Sequence, residues 1–114
     1  MSEEFEGYRM GHFVRTAEVW KQLIDLGVTE ESKLDFDFQF STRDKKSVEV
    51  LKSELADYSL EVSSEGIFKK SYTISGRSGP ITWSEEQLLK WVDYLIHIGR
   101  AAGCEFEGCG ASAP

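Results

Sequence analysis

Cysteine, histidine and basic residues are all scarce in this sequence, and each shortage removes a class of protein. The only cysteines are Cys104 and Cys109, too few for the disulfide framework of a small secreted scaffold. Zinc usually takes four ligands, and only His12 and His97 could join the two thiols. A zinc site within one chain is therefore disfavoured, and the thiols read as a small core residue and a loop residue. No apolar run approaches the roughly 20 residues of a membrane span. Met1-Ser2-Glu3-Glu4 is acidic and lacks the basic and apolar regions of a signal peptide, so the expectation is a cytoplasmic protein with reduced thiols. Thirteen Lys and Arg stand against 20 Asp and Glu, giving a net charge of −7. Nonspecific nucleic-acid binding depends on cations that neutralise phosphates, so it is not expected; a partner with a basic surface is. No dinucleotide fingerprint is present. Gly76-Arg77-Ser78-Gly79-Pro80 lacks the spacing and the Lys-Ser/Thr ending of a P-loop and reads as a turn.

Aromatic residues, in contrast, are plentiful, with Phe 7, Tyr 4 and Trp 3 among 114 residues. That is enough for one domain with one modest core. The clearest pattern is Leu34-Asp35-Phe36-Asp37-Phe38-Gln39-Phe40. Strict alternation predicts a central strand, with Leu34, Phe36, Phe38 and Phe40 on the core face and Asp35, Asp37 and Gln39 on the other.

Around this strand the periodicity predicts a helix from about His12 to Leu26, with Phe13, Ala17, Trp20, Leu23 and Ile24 on its stripe and Gly27 as C-cap. A second helix, opened by Ser41 with Asp44 as a capping box, runs to about Asp57 on Val48, Leu51 and Leu55. Strands follow at 58–63, with Tyr58, Leu60 and Val62 inward, and at 67–75, with Phe68, Tyr72 and Ile74 inward; Ser64-Glu65-Gly66 connects them. Thr82 or Ser84 caps a long helix reaching Ala102, with Leu88, Val92, Leu95, Gly99 and Ala102 inward, and a short last strand begins at Cys104. Residues 1–11 are expected to be a flexible segment, 12–110 a single domain and 111–114 a loose tail. The order strand-helix-strand-strand-helix-strand is ferredoxin-like: an α+β, βαββαβ fold with a four-stranded antiparallel sheet, helices on one face and an extra N-terminal helix.

RNA-binding domains share this topology but place aromatics on the open sheet face. Exposing the phenylalanines here would bury Asp35 and Asp37 at several kcal/mol each, so the open face is predicted to be acidic. Glu61 and Glu107 join Asp35 and Asp37 there, as a candidate partner-binding surface. An open face offers little desolvation to split carboxylate pKa values, and Asp93 with His97 on the last helix reads as a charged solvated face. No catalytic, cofactor-binding or metal-binding residues are assigned.

The segment Phe106-Glu107-Gly108-Cys109-Gly110 resembles the C-terminal signature of the RraB-like family, the regulators of ribonuclease E activity. That signature is an aromatic and an acidic residue followed by Gly-Trp-Gly, and Cys109 stands where its tryptophan is usual. The helix ending at Gly27, the strand Asp35–Phe40 with the helix after it, and Tyr58–Val62, with Asp57 in place of a glycine, are similar to earlier parts of the same pattern. The resemblance implies a non-enzymatic regulator that binds ribonuclease E and modulates RNA decay. Separately, the expected state is a monomer or a weak homodimer, for which an exposed Trp20 face is the candidate contact. Two other readings stand beside it: an unrelated acidic module, such as an immunity-type or inhibitor protein for a basic partner, and a small enzyme using the carboxylates or His97.

Overall fold

The computed structural model describes residues 3–112. The elements, in chain order, are α1 (Glu3–Asp25), β1 (Lys33–Thr42), α2 (Lys45–Glu54), β2 (Glu61–Glu65), β3 (Ser71–Arg77), β4 (Ile81–Thr82), α3 (Glu85–Ala102) and β5 (Glu105–Ser112). β1 lies at the centre of an antiparallel sheet. It pairs with β3 along one edge and with β5 along the other over the same residues, and β2 pairs with the far side of β3. The strand order β2-β3-β1-β5 is the ferredoxin-like one, and the fold is α+β. The sheet has five strands rather than four, because Ile81 and Thr82 form a short rung with Leu34 and Lys33.

Alternation in β1 carries through to the packing. Leu34, Phe36, Phe38 and Phe40 are fully buried. Phe38 sits at the hub, its ring edge-on to Phe40, Tyr58 and Trp91 with centroids 5.9, 5.3 and 5.7 Å away. Val48 and Leu51 of α2 and Leu88, Val92, Leu95 and Ile96 of α3 complete one core on the helix-covered face. Trp83 closes its end, with Nε1 donating to the Leu34 carbonyl at 3.1 Å. Helix α3 is capped at its start by Ser84, whose hydroxyl accepts from Gln87 N at 3.1 Å, and at its end by Gly103.

Where α3 crosses β1, Gly99 lets the two backbones approach. A Cβ there would lie 2.5 Å from Phe40 Cε1 and 3.1 Å from the Cys104 carbonyl oxygen. Gly99→Ala should therefore lower the melting temperature. The gain of about 1 kcal/mol in helix propensity is outweighed by overpacking of roughly 1–3 kcal/mol, and a thermal melt followed by circular dichroism checks the sign.

Several boundaries differ from the sequence expectation. Helix α1 begins at Glu3 rather than near His12, and its buried residues are His12, Thr16 and Leu23 rather than the stripe through Phe13 and Ile24. The reason lies in β5. The outward-facing Phe106 carbonyl accepts the Tyr8 hydroxyl at 2.7 Å and also takes the His12 ring. Docking that edge turns the polar line of the helix inward. The N-cap of α2 is Asp44, accepting from Lys46 N at 2.9 Å, because Ser41 still belongs to β1. The β2–β3 connection is longer than expected. Tyr58 and Leu60 precede β2, and Ile67 and Phe68 sit at the hairpin tip, the latter 97% exposed. Strand β5 continues through the small residues to Ser112, since Gly108–Ala111 pairs with β1 as far as Phe36.

Candidate functional site

The face of the sheet opposite the helices is built by the polar half of each strand's alternation. From β1 it receives Asp35, Asp37, Gln39 and Ser41. The register sets Arg77, Ser75 and Thr73 of β3 beside Asp37, Gln39 and Ser41, and Glu61 of β2 beyond Ser75. On the other side Gly110 and Gly108 of β5 flank Asp37 and Gln39. Strands lie about 4.8 Å apart, so Glu61 is two strands from Gln39. A bulge in β5 inserts Glu107 between the partners of Gln39 and Phe40, and the Ser41 hydroxyl donates to its carboxylate. Gly108 follows with φ 141°, a backbone conformation that favours glycine.

Two adjoining concavities result. The larger, about 1060 Å³, is lined by Asp35, Asp37, Glu61, Asp57 and Arg77 among others. The smaller, about 270 Å³, has Asp37 and Glu107 as its walls and Gly108 and Gly110 in its lining. The four carboxylates singled out in the sequence therefore fall into two groups that share Asp37. Glu65 of β2 and Glu105 of β5 extend the acidic surface, lying opposite Ser71 and Ser41.

Asp35 is partly engaged within the chain. Arg77 Nη1 lies 3.1 Å from its carboxylate, and Gly79 N donates to it, also at 3.1 Å. Its position pins the turn after β3, where Ser78 N also donates to the Phe36 carbonyl. The expected strand ends at Ser75, with Arg77 in the turn, whereas β3 runs to Arg77. Extending the alternation through Ser75 to Arg77 would have placed this cation among the carboxylates.

Of the residues that carry the family resemblance, Phe106 and Cys109 point the other way. Phe106 is buried, with its ring 5.4 Å from Phe40 and 4.9 Å from His12. Cys109 lies across from Phe38 on the core face, and burial pushes its thiol up to about 11, with Asp37 adding and the Thr16 hydroxyl opposing. The position where the family has tryptophan thus packs under α1 rather than on the open face. Cys104 and Cys109 are both free thiols, and burial also raises Cys104. On α3, Asp93 accepts from Arg9 Nε at 2.7 Å and lies 3.2 Å from His97 Nε2, and the guanidinium holds its carboxyl below the usual range. Among the described residues no group of three or more His, Cys, Asp or Glu side chains could hold a metal ion, and no helix is long and apolar enough to cross a membrane.

Among the described residues His12 is the buried titratable ring. Its hydrogen bond to the Phe106 carbonyl uses one ring nitrogen, and Nδ1 lies 3.2 Å from Arg15 Nη2. A guanidinium only donates, so Nδ1 accepts and the imidazole is neutral. Burial, then the Arg15 charge, lowers its pKa from the ordinary 6.5. The unfolded chain therefore takes up a proton before the folded one does. This contribution to stability is present above pH 6.5 and is lost as pH falls from there through the folded value. A melting temperature that declines across that window, with a shallower decline in His12→Gln, is the expected result.

No family model matches the sequence, and no curated protein matches it.

Proposed function

We propose that this chain is a non-catalytic protein-binding regulator acting in the cytoplasm. Its open sheet face would receive an Arg/Lys-rich segment of the partner. The supporting observation is that Asp35, Asp37, Glu61, Glu65 and Glu107 share one helix-free face, and that among the described residues Arg77 is the cation in ion-pair contact with one of them, Asp35. A face of this kind steers a basic partner, gives salt-dependent association and contributes more to on-rate than to affinity. The pairing of Asp93 with Arg9 further supports a structural rather than catalytic role for the Asp93–His97 pair. For the partner we propose ribonuclease E, with RNA decay as the regulated process. The resemblance at Phe106–Gly110 supports that choice.

The test is a titration of basic fragments of ribonuclease E, and of unrelated Arg/Lys-rich peptides, across a salt series. Affinity for the ribonuclease fragments that weakens steadily with salt is the expected outcome. Binding only to the unrelated peptides would keep the face and replace the partner with another basic protein, as for an inhibitor or immunity-type module. No binding at low salt to either set would overturn the reading.

A further inference from the structure

Helix α1 carries a second apolar line that its own chain covers only in part, since Phe13 and Trp20 lean against the core and the Arg9 guanidinium lies 4.8 Å from the Phe13 ring centre. Met10, Phe13, Ala17, Trp20 and Ile24 follow one another at alternating spacings of three and four residues, the a/d pattern of a helix–helix seam. This line is rotated away from the buried one of His12, Thr16 and Leu23. Met10 is 52%, Val14 60% and Ile24 46% exposed, while Phe13, Ala17 and Trp20 are half-buried at the margin of the core. The stripe covers about 21 Å at 1.5 Å per residue.

We propose that this stripe pairs antiparallel with the same stripe of a second copy, forming a two-fold symmetric dimer through α1. The side-chain sizes favour that orientation. In an antiparallel seam a-type positions face d-type positions, so Ala17 of each copy sits against Trp20 of the other and Phe13 against Ile24. A parallel seam would set Trp20 on Trp20 at one level and Ala17 on Ala17 at the next, a collision followed by a gap. Antiparallel helices also oppose their macrodipoles favourably. Charge agrees with this register. Glu18 and Lys21 flank the stripe, and neither makes an ion pair among the described residues. The antiparallel register brings Lys21 of one copy beside Val14 and Glu18 of the other. A single helix pair buries less than a standard interface, so the dimer is concentration-dependent. It leaves both open sheet faces uncovered and does not rest on the function proposed for them.

Light scattering coupled to size exclusion, over a concentration series, tests the proposal. The full chain should rise from a mass of 12.9 kDa towards twice that value. Val14→Glu with Ile24→Glu places charges at positions exposed in the monomer, so the melting curve should be retained while association weakens at least about tenfold. Lys21→Glu should weaken the dimer, and adding Glu18→Lys should restore it. A monomer mass for the full chain at every concentration would overturn the proposal. So would a Val14/Ile24 variant that associates like the parent, or association lost only on Phe68→Ser at the hairpin tip.

Discussion

Phe38→Ala should unfold a large fraction of the chain at physiological temperature. The side chain is fully buried at the centre of β1 and meets three other aromatic rings. Truncating such a residue typically costs about 3–5 kcal/mol, the sum of lost transfer energy and the cavity left behind. Domains of this size have only about 5–15 kcal/mol in total. The site is poorly placed to relax, because β1 is hydrogen-bonded on both edges and its core face lies beneath α2 and α3. Chemical denaturation should show a midpoint shifted far down with little change in slope. Phe38→Leu, which keeps much of the volume, should lose clearly less. A Phe38→Ala midpoint within experimental error of the parent would mean that this strand is not the centre of the core.

Neutralising the open face should have the largest effect on binding. The variant Asp35→Asn, Asp37→Asn, Glu61→Gln, Glu107→Gln keeps side-chain shape and removes four negative charges. Exposed ion pairs contribute roughly 0.2–1 kcal/mol each. Together the losses correspond to about thirtyfold in the dissociation constant for a basic segment, at 1.4 kcal/mol per tenfold. The salt dependence should flatten in parallel. Asp35 should contribute least to binding and most to stability, because it already holds Arg77 and the Gly79 amide. Asp37 faces both concavities and should contribute most to binding. Equal affinity of the parent and the fourfold variant, measured by calorimetry at low salt, would remove this face from consideration.

The fold was legible wherever one face of an element is buried and the other wet. The alternation of Leu34 to Phe40 identified the central strand, its core face and its acidic face from period two alone. The line from Leu88 to Ala102 did the same for α3. Legibility failed where a polar group does the packing. His12 and Thr16 are buried because β5 offers them a carbonyl and a thiol across the molecule, and no local pattern announces such a partner. The wrong stripe of α1 looked like the core stripe because it is the more apolar of the two. The tip of the β2–β3 hairpin misled for a related reason, since Phe68 continues an inward alternation but lies beyond the last paired residue. On the open face the four carboxylates could be placed from alternation. Their division into two groups could not, because it depends on the β5 bulge and on the cation at Arg77.

The clasp of α1 on β5 also bears on how the chain reaches this structure. Tyr8 and Phe106 are 98 residues apart in sequence, and β5 must find β1 after roughly 70 intervening residues have been ordered or looped out. Such distant closures are entropically costly and slow folding. Until they are made, β1 has one neighbour instead of two, and a row of its amides and carbonyls lies open to other chains. The hairpin of β2 and β3 with α2 can assemble from nearby contacts, so the late step is the arrival of β5 and its fastening by Tyr8 and His12. Loosening that fastening would prolong the time β1 spends half-paired. Aggregation during refolding, rather than loss of native stability, is the quantity it would change first.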